Sequence, residues 1–207
     1  MSLRKNTIGK SNKSLPDTYA EINLSALKNN FEVIKSAVNS KKNGKVKICS
    51  VVKADGYGHG MNEVGKYLSE AGTDYLATAD YYESIVLSDH LKSIRKKIRL
   101  FFCMGILNDE KIAVKVLKRN IEVSIADINS AVMLNDLAGK MNLKVNIQAQ
   151  IDTGINRTGF KSADAYEAIK MIAGLKNLNL KVYILILQQA RSRITVIQKS
   201  SWQILKN

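Results

Sequence analysis

The stretch VKICSVVKADGYGHG, residues 46–60, combines an apolar run with a glycine-rich segment. Its first part, 46–52, is an apolar run of the length expected for a fully buried parallel strand. Its second part starts at Lys53 and contains Gly56, Gly58 and Gly60, which allow the backbone to approach a ligand closely. The stretch therefore predicts a strand with a functional loop at its carboxyl end.

Strand and helix patterns alternate on both sides of this stretch. Upstream, apolar residues recur at helical spacing over 25–38, and Ser25 can cap that helix. Downstream, short apolar runs alternate with amphipathic segments, and no hairpin signal separates them. The predicted strands lie at 75–78, 98–102, 121–124, 145–151 and from 178 onward, and the predicted helices at 61–70, 82–91, 110–118, 127–141 and 162–173.

This alternation predicts an α/β fold with parallel strands joined by right-handed crossovers. A doubly wound sheet and a TIM-type (β/α)8 barrel both satisfy the pattern. No GxGxxG follows the first strand, which disfavours a dinucleotide-binding fold. Since six strands are predicted and a closed barrel needs eight, a barrel made from this chain would be incomplete.

Composition and charge narrow the classes of function. The net charge of +14 over 207 residues suggests an anionic partner, but the basic residues are scattered and lack interleaved aromatic residues. We therefore expect no nucleic-acid partner. No apolar run approaches the roughly 20 residues that span a bilayer, and 1–18 is a basic segment without the apolar stretch of a secretory signal. The expectation is a cytoplasmic protein with a disordered basic tail at 1–18.

Cysteine and histidine usage argues against a metal site. Cys49 and Cys103 each lie in an apolar run, where a cysteine usually behaves as a small buried hydrophobe. His59 and His90 have no cysteine at the spacing of zinc ligands. We predict two buried cysteines and no bound metal.

Lys53 is the candidate catalytic residue. A lysine at the end of a buried strand is partly desolvated, which frees its amine to act as nucleophile and base. Tyr57 offers a hydroxyl to a phosphate or a carboxylate. Together with the glycine-rich backbone, these groups suit a phosphorylated aldehyde, although the residues alone also allow a surface lysine in a flexible loop.

Three motifs resemble those of alanine racemases. VVKADGYGHG, at 51–60, resembles the signature around the cofactor lysine of that family. AEINLSALKNN, at 20–30, resembles its opening helix, and IDTGINRTGF, at 151–160, resembles the motif after its fifth strand. The resemblance covers 19–181 and implies a TIM-type barrel that binds pyridoxal phosphate.

The resemblance also implies a reaction and the residues that perform it. Pyridoxal phosphate would form an aldimine with Lys53 and then with alanine, so that its ring stabilises the α-carbanion. Lys53 would be the base on the D-alanine face, and Tyr57 would hydrogen-bond the cofactor phosphate. Arg157 would lie near the substrate carboxylate and the phenolic oxygen of the cofactor. The implied activity is interconversion of L- and D-alanine for peptidoglycan, by a homodimer.

The sequence departs from the family pattern at two places. Many members carry a carbamylated lysine where this chain has Gln150, whose amide can still accept a hydrogen bond from Arg157. After Lys181 the family continues with Gly-Ile-Tyr-Ser-His-Phe-Ala, whereas this chain reads VYILILQQA at 182–190. A different reading frame of AAG GTA TAT ATT CTC ATT TTG CAA CAA GCN, one possible coding for 181–190, restores that motif.

The hypothesis that follows is a frameshift after about Lys181. It predicts that 182–207 is an out-of-frame tail, and that the chain lacks the last barrel strands and the carboxyl-terminal β-domain. Weak or absent racemase activity would result. Three alternatives stay open: another barrel-type pyridoxal-phosphate enzyme, such as a different racemase or a decarboxylase; a small cofactor-binding protein without racemase activity; or a non-functional remnant.

Overall fold

The computed structural model describes residues 20–39, 46–95, 99–102 and 107–186. The predicted tail at 1–18 and Cys103 lie outside these residues, as does most of 182–207. Within them, no helix combines the length and apolar character that a membrane crossing requires. The helices are α1 (Leu24–Asn39), α2 (Lys53–Tyr57), α3 (Met61–Ala71), α4 (Tyr81–Ser93), α5 (Glu110–Lys118), α6 (Ile128–Lys140) and α7 (Ala165–Ala173). The strands are β1 (Cys49–Val51), β2 (Tyr75–Thr78), β3 (Arg99–Phe102), β4 (Glu122–Ile125), β5 (Val145–Asp152), β6 (Phe160–Lys161) and β7 (Leu178–Ile186).

All strand pairs in the sheet are parallel. The order is β1-β2-β3-β4-β5-β6, and β7 also pairs with β5. Because β7 follows one edge of β5 along its whole length, β4 and the two-residue β6 share the other edge. In the described part of the chain β1 pairs only with β2, so the sheet is not closed. The predicted α/β architecture and the incomplete barrel are confirmed.

The main core lies between the sheet and the helices. Its fully buried side chains include Leu76 of β2, Leu87 of α4 and Ile147 of β5. Since successive strand residues face opposite sides, the other face of the sheet forms the inside of the open barrel. There Tyr75 and Ala77 of β2 form a small separate cluster.

The polar inner face of β4 and β5 contrasts with this apolar core. Glu122 is only 3% exposed and accepts hydrogen bonds from Gln148 Nε2 at 3.1 Å and from Asn146 Nδ2 at 3.4 Å. Buried polar groups are tolerated when they are paired in this way. One side of the strands therefore holds the fold together, and the other carries polar groups into the barrel interior.

The first strand differs from its prediction. The predicted buried strand at 46–52 is a strand only over Cys49–Val51, and both of those end residues are exposed. Val52 belongs to the core under the helices, so Cys49 and Val51 face the inner side of the sheet. That side is open at β1 because the described barrel is not closed. The prediction that Cys49 is buried is therefore wrong.

The expected domain boundary at Lys181 falls inside β7. This strand continues to Ile186, which pairs with Asp152 of β5. An irregularity lies between the pairs Ile147↔Leu180 and Gln148↔Val182, where Lys181 is the additional residue. Residues 187–207 lie outside the described part of the chain.

Candidate active site

Lys53 lies one residue beyond Val52, just past the end of β1 at the carboxyl edge of the sheet. The preceding Val52 is 1% exposed, and its N–H donates to the carbonyl of Ala77 at 2.8 Å. This bond fixes the end of β1 to β2. Lys53 as a whole is half-buried.

The backbone after Lys53 forms a left-handed turn where the sequence suggested only a flexible loop. Ala54, Asp55, Gly56 and Tyr57 have φ values of 51°, 52°, 65° and 56°. The turn closes with hydrogen bonds from Gly56 N–H to the Val52 carbonyl and from Gly58 N–H to the Ala54 carbonyl. A left-handed conformation costs an L-residue roughly 1–2 kcal/mol, so surrounding contacts must stabilise this turn.

Two carboxylates provide such contacts. Glu83 Oε1, on α4, accepts the Ala54 N–H at 2.6 Å. Asp55 Oδ1 accepts the Met61 N–H at 2.8 Å, at the start of α3. Each bond has a charged acceptor and is therefore stronger than a neutral one. The turn is tied to both of the helices that pack around it.

The turn brings Lys53 and Tyr57 together. Lys53 Nζ lies 6.0 Å from the centroid of the Tyr57 ring. The Tyr57 side chain is 58% exposed, which leaves its hydroxyl available to a ligand. An amine and a phenol hydroxyl therefore occupy one end of the barrel.

Arg157 lies on the loop that follows β5. Because all the strands are parallel, this loop and Lys53 are at the same edge of the sheet. The Asp152 carboxylate organises the loop by accepting the N–H groups of Gly154 at 2.9 Å and Asn156 at 3.1 Å. These backbone donors lower the pKa of Asp152 below its ordinary value. Arg157 itself is exposed, four strands along the sheet from Lys53.

Glu83 is a site residue that the sequence reasoning missed. Asp80 caps α4 by accepting the Tyr82 N–H at 2.6 Å, and Glu83 occupies the third position of the helix. A glutamate there usually reaches back to the N–H of the capping residue. Glu83 instead contacts the N–H of Ala79 and that of Ala54. The D-x-x-E spacing could have identified the cap, but not its contact with the Lys53 turn.

Residues 22–206 match the profile of the family described as alanine racemase, N-terminal domain. The chain belongs to the alanine racemase family. The alanine racemase of Halothermothrix orenii is 34% identical to it over 164 residues, which are 79% of this chain and 41% of that protein. This chain thus spans about two fifths of the length of that relative.

Solved structures support the same assignment. The alanine racemase of Clostridium difficile 630 superposes with a TM-score of 0.78 at 25% identity, over 93% of this chain and 49% of that one. The histidine racemase of Leuconostoc mesenteroides subsp. sake has a TM-score of 0.72 at 23% identity, over 89% and 48% of the two chains. The latter likeness shows a shared fold and nothing more specific.

Gln150, which the sequence resemblance matches to the carbamylated lysine of many alanine racemases, lies near the end of β5. It is 1% exposed, and its Nε2 donates to the carbonyl and to the hydroxyl of Thr158, each at 3.1 Å. The sequence suggested an amide that accepts from Arg157, whereas the structure shows the amide donating to the residue after it. Gln150 therefore fixes the backbone of the Arg157 loop to β5.

The residues at this edge fit the family cofactor by their chemistry. Lys53 supplies a primary amine that can bond covalently to an aldehyde. Tyr57 supplies a hydroxyl donor, and Arg157 supplies a planar cation suited to phosphate, phenolate or carboxylate oxygens. The left-handed turn holds the first two groups together, while Arg157 stands on a separate loop.

Proposed function

We propose that this chain binds pyridoxal phosphate through Lys53 and that its reaction is the interconversion of L- and D-alanine. The observation that carries the proposal is the Lys53–Tyr57 pair at the carboxyl end of β1. Lys53 Nζ lies 6.0 Å from the centroid of the Tyr57 ring, and the turn between the two residues is held by hydrogen bonds. Membership of the alanine racemase family supports the same assignment. When bound, the cofactor supplies an electron sink for the negative charge at the α-carbon of the substrate.

The chain's own residues have separate tasks in this proposal. The Lys53 amine attaches the cofactor and, once released, takes or returns a proton at the α-carbon of alanine. Tyr57 donates its hydroxyl hydrogen bond to the phosphate, and Arg157 binds the alanine carboxylate. The side of β1 that carries Cys49 and Val51 forms one wall of the barrel interior, beside Tyr75 and Ala77, with which these two residues are paired on β2.

Racemisation needs a proton donor and a proton acceptor on opposite faces of one carbon. Lys53 serves one face. In the family the base for the other face is a tyrosine of the carboxyl-terminal domain, contributed across the homodimer. Losing one of two such groups costs typically 10²–10⁴-fold in rate. We therefore propose that residues 1–207 by themselves bind the cofactor and racemise alanine weakly.

We also propose that residues 182–207 are translated out of frame. This proposal rests on one possible coding of 181–190, which restores the family motif in another frame; the family match to residue 206 and the continuation of β7 to Ile186 stand against it. Sequencing the gene tests it. A family-like continuation in an alternate frame is expected, and its absence from both alternate frames would reject the frameshift.

An absorbance titration with pyridoxal phosphate tests the cofactor assignment. The purified chain is compared with Lys53→Ala and with Lys111→Ala, which removes an exposed lysine on α5. We expect a saturable visible band from lysine-bound cofactor in the wild type and in Lys111→Ala, and none in Lys53→Ala. Equal bands in all three proteins would show nonspecific attachment and reject the assignment.

Measuring which amino acid the chain racemises distinguishes an alanine racemase from a different racemase and from a protein that only binds the cofactor. L-Alanine and L-histidine are incubated separately with the cofactor-loaded chain, and the D-isomers are measured by chiral chromatography. D-Alanine production that depends on Lys53 supports the proposal. D-Histidine production alone would favour a different amino-acid racemase. Cofactor binding with neither product would indicate a binding protein without racemase activity.

A further inference from the structure

Glu83 connects the Lys53 turn to the neighbouring strand. This residue lies on the first turn of α4 and is half-buried. Its Oε1 accepts the Ala54 N–H at 2.6 Å, and its Oε2 accepts the Ala79 N–H at 3.3 Å. Ala54 directly follows Lys53, and Ala79 directly follows β2. One carboxylate therefore joins the backbone at the ends of two adjacent strands.

The Ala54 contact occurs within a run of unfavourable backbone conformations. Ala54 has a φ of 51° and a ψ of 53°, and it has a Cβ that opposes this left-handed conformation. The same conformation continues through Asp55, Gly56 and Tyr57. A short hydrogen bond to a carboxylate at the first residue of the turn offsets the steric preference for the right-handed form. Unfavourable backbone conformations persist when surrounding contacts hold them.

We propose that Glu83 is a positioning residue for Lys53. Its carboxylate accepts the Ala54 N–H and so stabilises the left-handed turn. This turn keeps the Lys53 amine beside Tyr57 at the barrel edge. Loss of this contact lets the turn relax toward a right-handed form, which redirects Lys53 away from Tyr57. The inference rests on the proposed function, in which Lys53 attaches pyridoxal phosphate.

Three substitutions of Glu83 separate the hydrogen bond from the charge. Glu83→Gln keeps an oxygen that can accept the Ala54 N–H, but it removes the negative charge. Glu83→Asp keeps the charge, but its carboxylate is one methylene too short to make the same contact. Glu83→Met has a similar length and removes both acceptors. Asp89→Asn is the matched control, because it removes a carboxylate from the same helix that pairs instead with Arg119.

The first measurement is hydrogen–deuterium exchange of the cofactor-free chain, resolved to peptides that cover 53–60. We expect the fastest exchange in this segment for Glu83→Met and Glu83→Asp, intermediate exchange for Glu83→Gln, whose single oxygen can accept only one of the two N–H groups, and wild-type exchange for Asp89→Asn. Unchanged exchange in both Glu83→Met and Glu83→Asp would overturn the proposed contact. This result does not depend on whether the chain binds a cofactor.

The second measurement is the dissociation constant of pyridoxal phosphate, set beside the midpoint of thermal unfolding for each variant. We expect affinity to fall about tenfold or more in Glu83→Met and Glu83→Asp, as for loss of a hydrogen bond to a charged group. Glu83→Gln should rescue most of that affinity. If Glu83→Met does not fold, Glu83→Asp carries the same prediction.

The outcomes distinguish the two proposals. A variant with lower thermal stability but wild-type cofactor affinity would show that Glu83 is merely structural, and this would overturn the positioning role alone. Wild-type affinity in Glu83→Asp despite faster exchange at 53–60 would do the same. Absence of cofactor binding by the wild-type chain would overturn the proposed function and the positioning role together, while the exchange result would still report whether Glu83 holds the turn.

Discussion

Replacement of Gly159 by alanine should destabilise the chain far more than the same replacement at Gly58. Gly159 has a φ of 128°, and a Cβ added there would lie 2.7 Å from Asp152 N and 2.9 Å from the Gln150 carbonyl oxygen. Both neighbours are backbone atoms of β5, so they cannot rotate away. The close approach of Gly159 to β5 is what allows the Arg157 loop to return to the sheet at β6.

The magnitude follows from three effects. Backbone strain at such a φ costs about 1–3 kcal/mol, and overpacking against backbone costs about 1–3 kcal/mol more. Alanine restricts the unfolded chain more than glycine does, and this effect stabilises the folded state by about 0.4–1 kcal/mol. The free energy of unfolding should therefore fall by about 3 kcal/mol. At Gly58 φ is 80° and nothing lies within 4 Å of the added Cβ. Only backbone strain of about 1–2 kcal/mol therefore opposes the stabilisation that comes from restricting the unfolded chain.

Urea denaturation followed by circular dichroism measures the difference. With an m value of about 2 kcal/mol per molar urea, a loss of about 3 kcal/mol lowers the transition midpoint by roughly 1.5 M. Gly58→Ala should lower the midpoint by about 0.5 M or less. A midpoint for Gly159→Ala equal to or above that of Gly58→Ala would show that β5 does not constrain this position.

Three further predictions address the core, the Arg157 loop and its pH dependence. Leu76→Ala removes a fully buried side chain and should lower the free energy of unfolding, measured by urea denaturation, by about 2–5 kcal/mol. A loss under about 1 kcal/mol would contradict the burial of Leu76 between the sheet and the helices. Gln150→Leu leaves both Thr158 oxygens without a donor and should cost about 1–3 kcal/mol; unchanged stability in the same assay would show that the amide does not hold the loop. The Gly154 N–H lowers the pKa of Asp152 in the folded chain. The ionised carboxylate therefore stabilises the fold above its unfolded pKa of about 3.9, and this stabilisation is lost as the pH falls through the pKa of the folded state. Thermal unfolding should show Asp152→Asn less stable than wild type at neutral pH and the gap closing in acid, and a constant gap would contradict this assignment.

Most of the fold was predictable because the hydrophobic periodicity is strong. The alternation of apolar runs and amphipathic segments predicted a parallel α/β sheet, and each predicted helix has a counterpart in the structure. The two-residue β6 was not predicted, since it depends on the return of the Arg157 loop to β5 and not on a local apolar pattern. Cys49 was placed in the core because an apolar run does not reveal whether the strand's second face is covered. Burial on that face depends on distant strands.

The site was only partly predictable for a related reason. Lys53 and Tyr57 are close in sequence, and the turn between them brings their side chains close in space. The left-handed form of that turn was not predicted, because an alanine such as Ala54 does not favour a positive φ. It is stabilised by Glu83, which is distant in sequence. Gln150 was identified by its position, yet its donation to Thr158 depends on a tertiary contact.

Reductive trapping of pyridoxal phosphate tests whether the cofactor attaches to Lys53. The purified chain is incubated with limiting cofactor, reduced with borohydride, digested and mapped by mass spectrometry. We expect the label to be concentrated on Lys53, and Lys53→Ala to lose it without a matching gain at other lysines. Label spread over the many exposed lysines, or unchanged total labelling in Lys53→Ala, would contradict a cofactor site at the carboxyl end of β1.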